Sequence, residues 1–484
     1  MQQAWHIFLK DVRRLRYELI VVLALTAAYA WLQGHWSPLS SARNGRLNQT
    51  AGLLRDFLLP VAWWFLASMA VYGEPLPGDR QFWVTRPYRW TSLLGAKLLF
   101  IVAFVSLPLL LADCVILTLQ GFHAWANPGG LLLHEVEVFA VLLLPMIALA
   151  CITTSFAQVV LVVLSTIVSI VVLGIVLSPV GDGVMIGFGV AGEWIEGSLV
   201  CLVLLCATLA VIILQYRARR TWVARAIFVA TVLLLLYGGR LLPWRTGLAL
   251  ESRLLQSRND TSSITAVFAP GGSPPLAVSP VREGIVRVSL PVRLDGVPPG
   301  TTAVVDEMWG ELIPPDGKPL EMLLSFGESL PDMVWHDTVV ERRVFERWKS
   351  TTVRLHLTIH LTMLGNPHTE DVPLAGGPYR VLGVGLCEFD PRPPDRSAIS
   401  CRAPFRQPAY VLTQFDKYDK DVPKAQQRTD YSPYPAEFGI SPISDYSWSV
   451  PTGATTVTFT TMKPLAHIRR ELDIPNVRLA DFAY

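Results

Sequence analysis

Charge is what this sequence has little of. Only 17% of its 484 residues are Asp, Glu, Lys or Arg, against about 25% in soluble domains, while 51% are hydrophobic. A water-soluble fold along the whole chain is not expected on that ground. Net charge is +2, too small to set up a field across the molecule, so no nucleic-acid partner is expected. The Gly-x-x-x-x-Gly-Lys-Ser/Thr phosphate cradle is absent, so this chain is not expected to bind ATP. His134-Glu135-Val136-Glu137-Val138 lacks the second histidine of a His-Glu-x-x-His zinc site, and neither a Ser/His/Asp set nor a paired-carboxylate signature stands out. No enzyme activity, metal or cofactor is expected. Cysteines number six, of which Cys114, Cys151, Cys201 and Cys206 lie in apolar runs and read as small packing residues.

What is present in quantity is long hydrophobic runs. A helix needs roughly 20 apolar residues to cross about 30 Å of hydrocarbon. Seven runs approach that length: Tyr17–Leu32, Phe57–Tyr72, Leu93–Leu119, Val136–Cys151, Val159–Leu177, Leu199–Gln215 and Trp222–Gly238. Those beginning at Phe57 and Val136 are short and contain Pro60 and Pro145, which makes them the weakest of the seven. Basic residues set the direction, because short cytoplasmic loops collect Lys and Arg. With seven spans and the N-terminus inside, Lys10, Arg13, Arg14, Arg16, Arg80, Arg86, Arg89, Arg217, Arg219, Arg220 and Arg225 all fall in the cytoplasm, and only Arg43, Arg46 and Arg55 fall in outer loops. A cleaved signal peptide ending at Ala28-Tyr29-Ala30 is the rival for the first run, disfavoured by its long basic leader. The fold class expected is a polytopic helical membrane bundle of about seven spans followed by an all-β, sandwich-like extracytoplasmic domain. The divisions are residues 1–18 as an interfacial helix, 19–245 as the bundle and 246–484 as the β-rich domain.

Ahead of the first span, Trp5, Phe8, Leu9, Val12 and Leu15 recur at helical spacing, with Lys10, Asp11, Arg13 and Arg14 on the other side, which predicts an amphipathic helix along the inner surface. Asp113 is a carboxylate within an apolar run, a candidate intramembrane polar site. At about 1.5 Å per residue from Lys97 at the inner surface, it should lie near the outer interface, within reach of water or a helix partner. Glu135 and Glu137 are expected to be solvated there too. The glycine-rich stretch 179–197 is weakly polar and could dip back into the membrane.

The segment Glu74 to Trp90, which includes Phe82-Trp83-Val84-Thr85-Arg86-Pro87, is too long for a bare turn and is followed by Lys97 in the next span. With an amphipathic helix before span one, this segment between spans two and three and a re-entrant stretch between five and six, residues 1–215 resemble the membrane subunit of a type-2 ABC transporter. That resemblance implies a translocation pathway driven by a separate ATPase subunit, which would dock on Glu74, Asp79, Arg80, Trp83 and Arg86. It implies a homo- or heterodimer of membrane subunits in the bilayer. The seventh span departs from the six-span core of that family and delivers the rest of the chain to the outside. The alternative is a membrane-anchored binding or sensory protein whose β-domain recognises an envelope ligand.

Beyond Ile285 the hydrophobic period changes to two. In Val353–Met363 apolar residues alternate with Arg354, His356, Thr358, His360 and Thr362, the pattern of a half-buried strand. Similar runs occupy Val286–Leu294, Tyr379–Phe389 and Thr455–Thr461. His356 and His360 would stand roughly 13 Å apart along a strand, too far to share an ion. Cys387 and Cys401, on either side of Pro391-Arg-Pro-Pro394, are candidates for a disulfide if this domain lies outside the cytoplasm.

Overall fold

The computed structural model describes residues 2–35, 45–73, 89–126, 128–177, 193–241, 253, 263–270, 284–315, 319–330, 333–375, 377–390, 397–405, 410–417 and 440–483. The chain forms two compact units. One is Met1–Pro243 with Arg402–Arg406 and Pro435–Asp445; the other is Trp244–Cys401 with Gln407–Tyr434 and Tyr446–Tyr484. The two late segments that join the helical unit are not announced by any apolar run.

The helical unit begins with α1 (Gln2–Arg14) and α2 (Arg16–Gly34). Three composite helices follow. These are α3 (Gly45–Leu53, a π turn Leu54–Leu58, then Leu59–Tyr72), α4 (Trp90–Leu119, with a π turn Val102–Ser106) and α5 (Pro128–Ile152, with a π turn Phe139–Leu143). Then come α6 (Phe156–Leu177), α7 (Glu193–Ala218) and α8 (Thr221–Leu241). Five of the described helices are long and apolar enough to cross a membrane: α2, α3 from Gln49, α4, α5 and α7 from Leu199. The helices α6 and α8 are apolar over the shorter stretches Phe156–Ser169 and Thr221–Leu235.

The prolines that weakened two runs do not end their helices. Each π turn closes two residues before a proline, at Leu59-Pro60, Leu107-Pro108 and Leu144-Pro145. A proline ring collides with the carbonyl four residues earlier and supplies no N–H, here facing Asp56, Phe104 and Val141. Widening the preceding turn moves that carbonyl aside, so the helix carries the proline without a break. As a result the second and fourth runs start earlier than their composition suggests, and Glu135 and Glu137 lie inside α5.

The main core of this unit is a cluster that includes Trp63, Leu66, Phe100, Ile101 and Ile147, all essentially inaccessible, and a smaller one holds Leu117, Ala124 and Leu131. Large apolar side chains such as Leu111, Leu132, Leu161 and Val168 face outward and are exposed, the surface that hydrocarbon requires.

The second unit is β-rich. An eight-stranded sheet runs in the order β1-β2-β5-β4-β3-β6-β12-β10, built from β1 (Thr265–Phe268), β2 (Ile285–Asp295), β3 (Thr302–Ile313), β4 (Leu320–Leu330), β5 (Met333–Glu341), β6 (Thr352–Pro373), β10 (Tyr410–Phe415) and β12 (Thr456–Arg478). A four-stranded sheet, β11-β9-β8-β7, uses β7 (Tyr379–Val381), β8 (Gly385–Asp390), β9 (Ala398–Pro404) and β11 (Ile443–Ser449). Its strands β9 and β11 contain the points where the chain passes between units.

β6 and β12 pair antiparallel from Thr456 opposite Pro373 to Arg478 opposite Thr352, with three register shifts. They supply two cores: one holds Trp335, Leu355, Leu357 and Ile359, the other Val372, Cys387, Cys401 and Phe459. Gly310 of β3 lets the first core close, since a Cβ there would stand 2.9 Å from Leu324 and 3.1 Å from Leu357. The run Tyr379–Phe389 is not one strand but the hairpin of β7 and β8, turned at Gly383 with φ +78°. Nor is β6 half-buried along its length: Thr358, His360 and Thr362 are buried as well as the apolar residues that alternate with them. A short helix, α9 (Arg342–Trp348), follows β5.

Candidate functional site

Two buried polar clusters occupy the helical unit, at the two ends of α4. The first forms where α1 packs on the start of α4. Ile7 and Asp11 of α1 and Leu15 just beyond its end recur at intervals of four, and all three are buried. The sequence reading put Asp11 on the solvated face; it belongs instead to the packed one. Its Oδ2 meets Lys97 Nζ at 2.6 Å, with the two side chains 2% and 1% exposed. Lys97 is therefore not a surface anchor but one half of a dry ion pair.

Arg14, one turn from Asp11, presses on the end of α3. A Cβ on Gly73 would stand 2.6 Å from Arg14 Nη1 and 3.5 Å from Asp11 Oδ1, so glycine there admits both side chains. Neighbouring helix ends are closed by polar contacts. Thr153 donates to the Leu149 carbonyl at 2.8 Å, so Tyr72 donates to Thr153 Oγ1 at 2.7 Å. Arg225 of α8 donates twice, at 3.0 and 3.2 Å, to the Ile152 carbonyl left open at the end of α5. Ser155 and Gln158 cap the start of α6, where Thr154 N donates to Gln158 Oε1 at 2.9 Å.

The second cluster lies toward the other end of α4. Asp113 is wholly buried, not in reach of water. His134 of α5, itself buried, brings Nε2 to 3.4 Å from Asp113 Oδ2. The same nitrogen lies 3.2 Å from the Ile440 carbonyl, which also accepts from the buried Tyr29 hydroxyl at 3.0 Å. Glu135 is half-buried, with Oε1 out of water. Nearby, Gln120 at the end of α4 donates to the carbonyls of Gln33 and Gly34 at 2.8 and 3.1 Å, closing α2, and Arg402 donates to Gln120 Oε1.

In the β-rich unit the polar groups serve strand pairing. His356 Nδ1 meets Asp473 Oδ1 at 3.0 Å, and Arg354 joins the same carboxylate at 3.2 Å. The bond from His356, with the Arg354 charge, holds the Asp473 carboxyl below its ordinary range. Asp416 accepts from the Thr455 hydroxyl and from the N–H groups of Thr455 and Thr456, which lowers it to about 2. Burial, reinforced by Arg469 and His467, pushes His360 down to about 4. Among the described residues no group of three or more His, Cys, Asp or Glu is placed to hold a metal ion.

Of the residues singled out in the sequence, Glu74, Asp79, Arg80, Trp83 and Arg86 lie outside the described residues, as does most of 179–197. Cys387 and Cys401 are joined as a buried disulfide between β8 and β9. Asp113 stands in a cluster that the sequence did not assemble, since Tyr29, His134 and Ile440 come from three distant stretches. Asp11 and Lys97 were also missed. A signal did exist: a lone carboxylate in step with Ile7 and Leu15, and a lysine seven residues into an apolar helix.

No family model matches this chain, and no curated protein or solved structure matches it.

Proposed function

We propose that this chain is the membrane subunit of an ABC-type exporter, forming a translocation pathway that a separate ATPase subunit drives. The observation that carries the reading is the Asp11–Lys97 ion pair with Arg14 set against Gly73. Gly73 directly follows α3 and Trp90 begins α4, so this cluster ties the interfacial helix to both ends of the segment in between. A push on that segment reaches α1, α3 and α4 together, because separating them exposes a buried charge. Such a linkage is what would turn nucleotide-driven docking into helix movement.

Charge supports the direction. Seven spans with the N-terminus inside put the basic clusters around Arg13, Arg80 and Arg217 in the cytoplasm and the β-rich unit, which we read as sandwich-like, outside the cell membrane. A disulfide between Cys387 and Cys401 fits an oxidising compartment.

The test is to replace residues 74–90 with a neutral Gly/Ser linker and purify the tagged chain from its native membrane. A nucleotide-binding subunit should accompany the wild-type chain and be lost from the variant. Recovery of the same ATPase with both removes the docking role. If no ATPase accompanies either and the β-rich unit captures an envelope ligand, the membrane-anchored sensory reading replaces this one.

A further inference from the structure

The structure assigns a proton-binding site to Asp113, His134 and Glu135 in the helical unit. Asp113 is wholly buried and both its carboxylate oxygens lack a hydrogen-bond donor; His134 Nε2, at 3.4 Å, is near enough for an ion pair but makes no hydrogen bond to it. The Ile440 carbonyl can only accept, so His134 carries its proton on Nε2, directed at Ile440. Glu135 adds a second carboxyl with a buried, undonated oxygen, and its charge bears on Asp113.

Among the described residues the groups around the pair are these, with the nearby Arg402 engaged by Gln120. From α2 comes Tyr29, whose hydroxyl is engaged with Ile440 and reaches Ser441; from α3 come Arg55 and Asp56, which act on Tyr29 and pair with each other; from α4 comes Cys114; from the segment Pro435–Asp445 comes the Ile440 carbonyl. Among the described residues none of these is a cation placed to neutralise two carboxylates. With both carboxyls ionised and His134 singly protonated, the cluster would hold an uncompensated charge on Asp113 away from water and a second beside it on the half-buried Glu135, which a buried site does not sustain. At least one extra proton resides there.

The proton's position is linked to Ile440. With Asp113 protonated, the neutral His134 gives its Nε2–H to the Ile440 carbonyl. When Asp113 loses its proton, which the half-buried Glu135 beside it can pass on to bulk water, the carboxylate competes for that same N–H, and Ile440 keeps only Tyr29 as donor. Proton release at Asp113 therefore loosens the hold on the Ile440 segment, and proton uptake restores it.

Infrared difference spectroscopy of the full chain in lipid nanodiscs tests this between about pH 5 and pH 9. The wild type should show a protonated-carboxyl C=O stretch typical of a dry site, shifting in heavy water. Asp113→Asn, which is neutral and nearly isosteric, should remove that band or leave only a residue that Glu135→Gln removes, and His134→Asn should move its midpoint. A wild type with no such band at any of these pH values overturns the site without recourse to a variant. A band unchanged in the Asp113→Asn/Glu135→Gln double variant does the same.

Discussion

Lys97→Met should cost the helical unit about 3–5 kcal/mol of stability. The magnitude follows from burial: Asp11 and Lys97 are 2% and 1% exposed and 2.6 Å apart, so removing the ammonium leaves a carboxylate with no water to solvate it. The same contact on a surface would contribute only about 0.2–1 kcal/mol. Asp11→Leu should cost a comparable amount by stranding Lys97. The double variant Asp11→Leu/Lys97→Met, which buries two apolar side chains in the same space, should recover most of the loss, because an apolar replacement of a buried pair is often neutral or better. The coupling energy of the cycle then comes to about 3 kcal/mol or more in favour of the pair. Equilibrium unfolding in mixed micelles, followed by helical circular dichroism with the four proteins side by side, measures it. Single variants each within about 1 kcal/mol of wild type, with additive effects, would mean that the two side chains do not meet in a dry site. The coupling device proposed for α1, α3 and α4 would fall with it.

Three further outcomes concern the β-rich unit. Replacing Cys387 and Cys401 by Ala opens a loop with a sequence separation of 14 and should lower the unit's stability by about 3 kcal/mol, read as a drop in its melting temperature that reductant reproduces in the wild type. Gly310→Ala drives a methyl group to within 2.9 Å of Leu324 and should cost about 1–3 kcal/mol by overpacking, whereas Gly300→Ala, with open space around it but φ +76°, tests backbone strain without a clash. His360 gives acid sensitivity of definite sign. Above about pH 6.5 it is neutral both folded and unfolded, and below that the unfolded chain binds a proton that the folded one refuses until about pH 4. Stability is therefore lost as pH falls across this window, by about 1.4 kcal/mol per unit and about 3 kcal/mol in all. His360→Gln should flatten that slope in thermal melts, and an unchanged slope would place the acid sensitivity elsewhere.

Apolar runs and period-two stretches were enough to separate a helical part from a β-rich part, because both report burial against lipid or core along one continuous segment. Prolines misled in one respect. Pro60 and Pro145 made two of the spans look weak, but the π turns that absorb them depend on the backbone upstream, where composition carries no mark. Asp11 was assigned to water because a helical wheel cannot supply the partner 86 residues away in Lys97. Asp113 was visible as a charge out of place, yet its setting was not: His134 arrives from the next helix, and Ile440 from a segment in the midst of β-rich sequence. Alternation along β6 likewise marks which side chains share a face and is silent on what covers the polar face, so burial of His360 could not be foreseen.

A motor acting through residues 74–90 is most directly tested by placing a photoreactive amino acid at position 83 in the full chain and irradiating intact cells. The account predicts a crosslinked adduct whose second component is an ATP-binding subunit, with a yield that changes when nucleotide turnover is blocked. Crosslinks to lipid alone, or to a protein without a nucleotide-binding site, would contradict it.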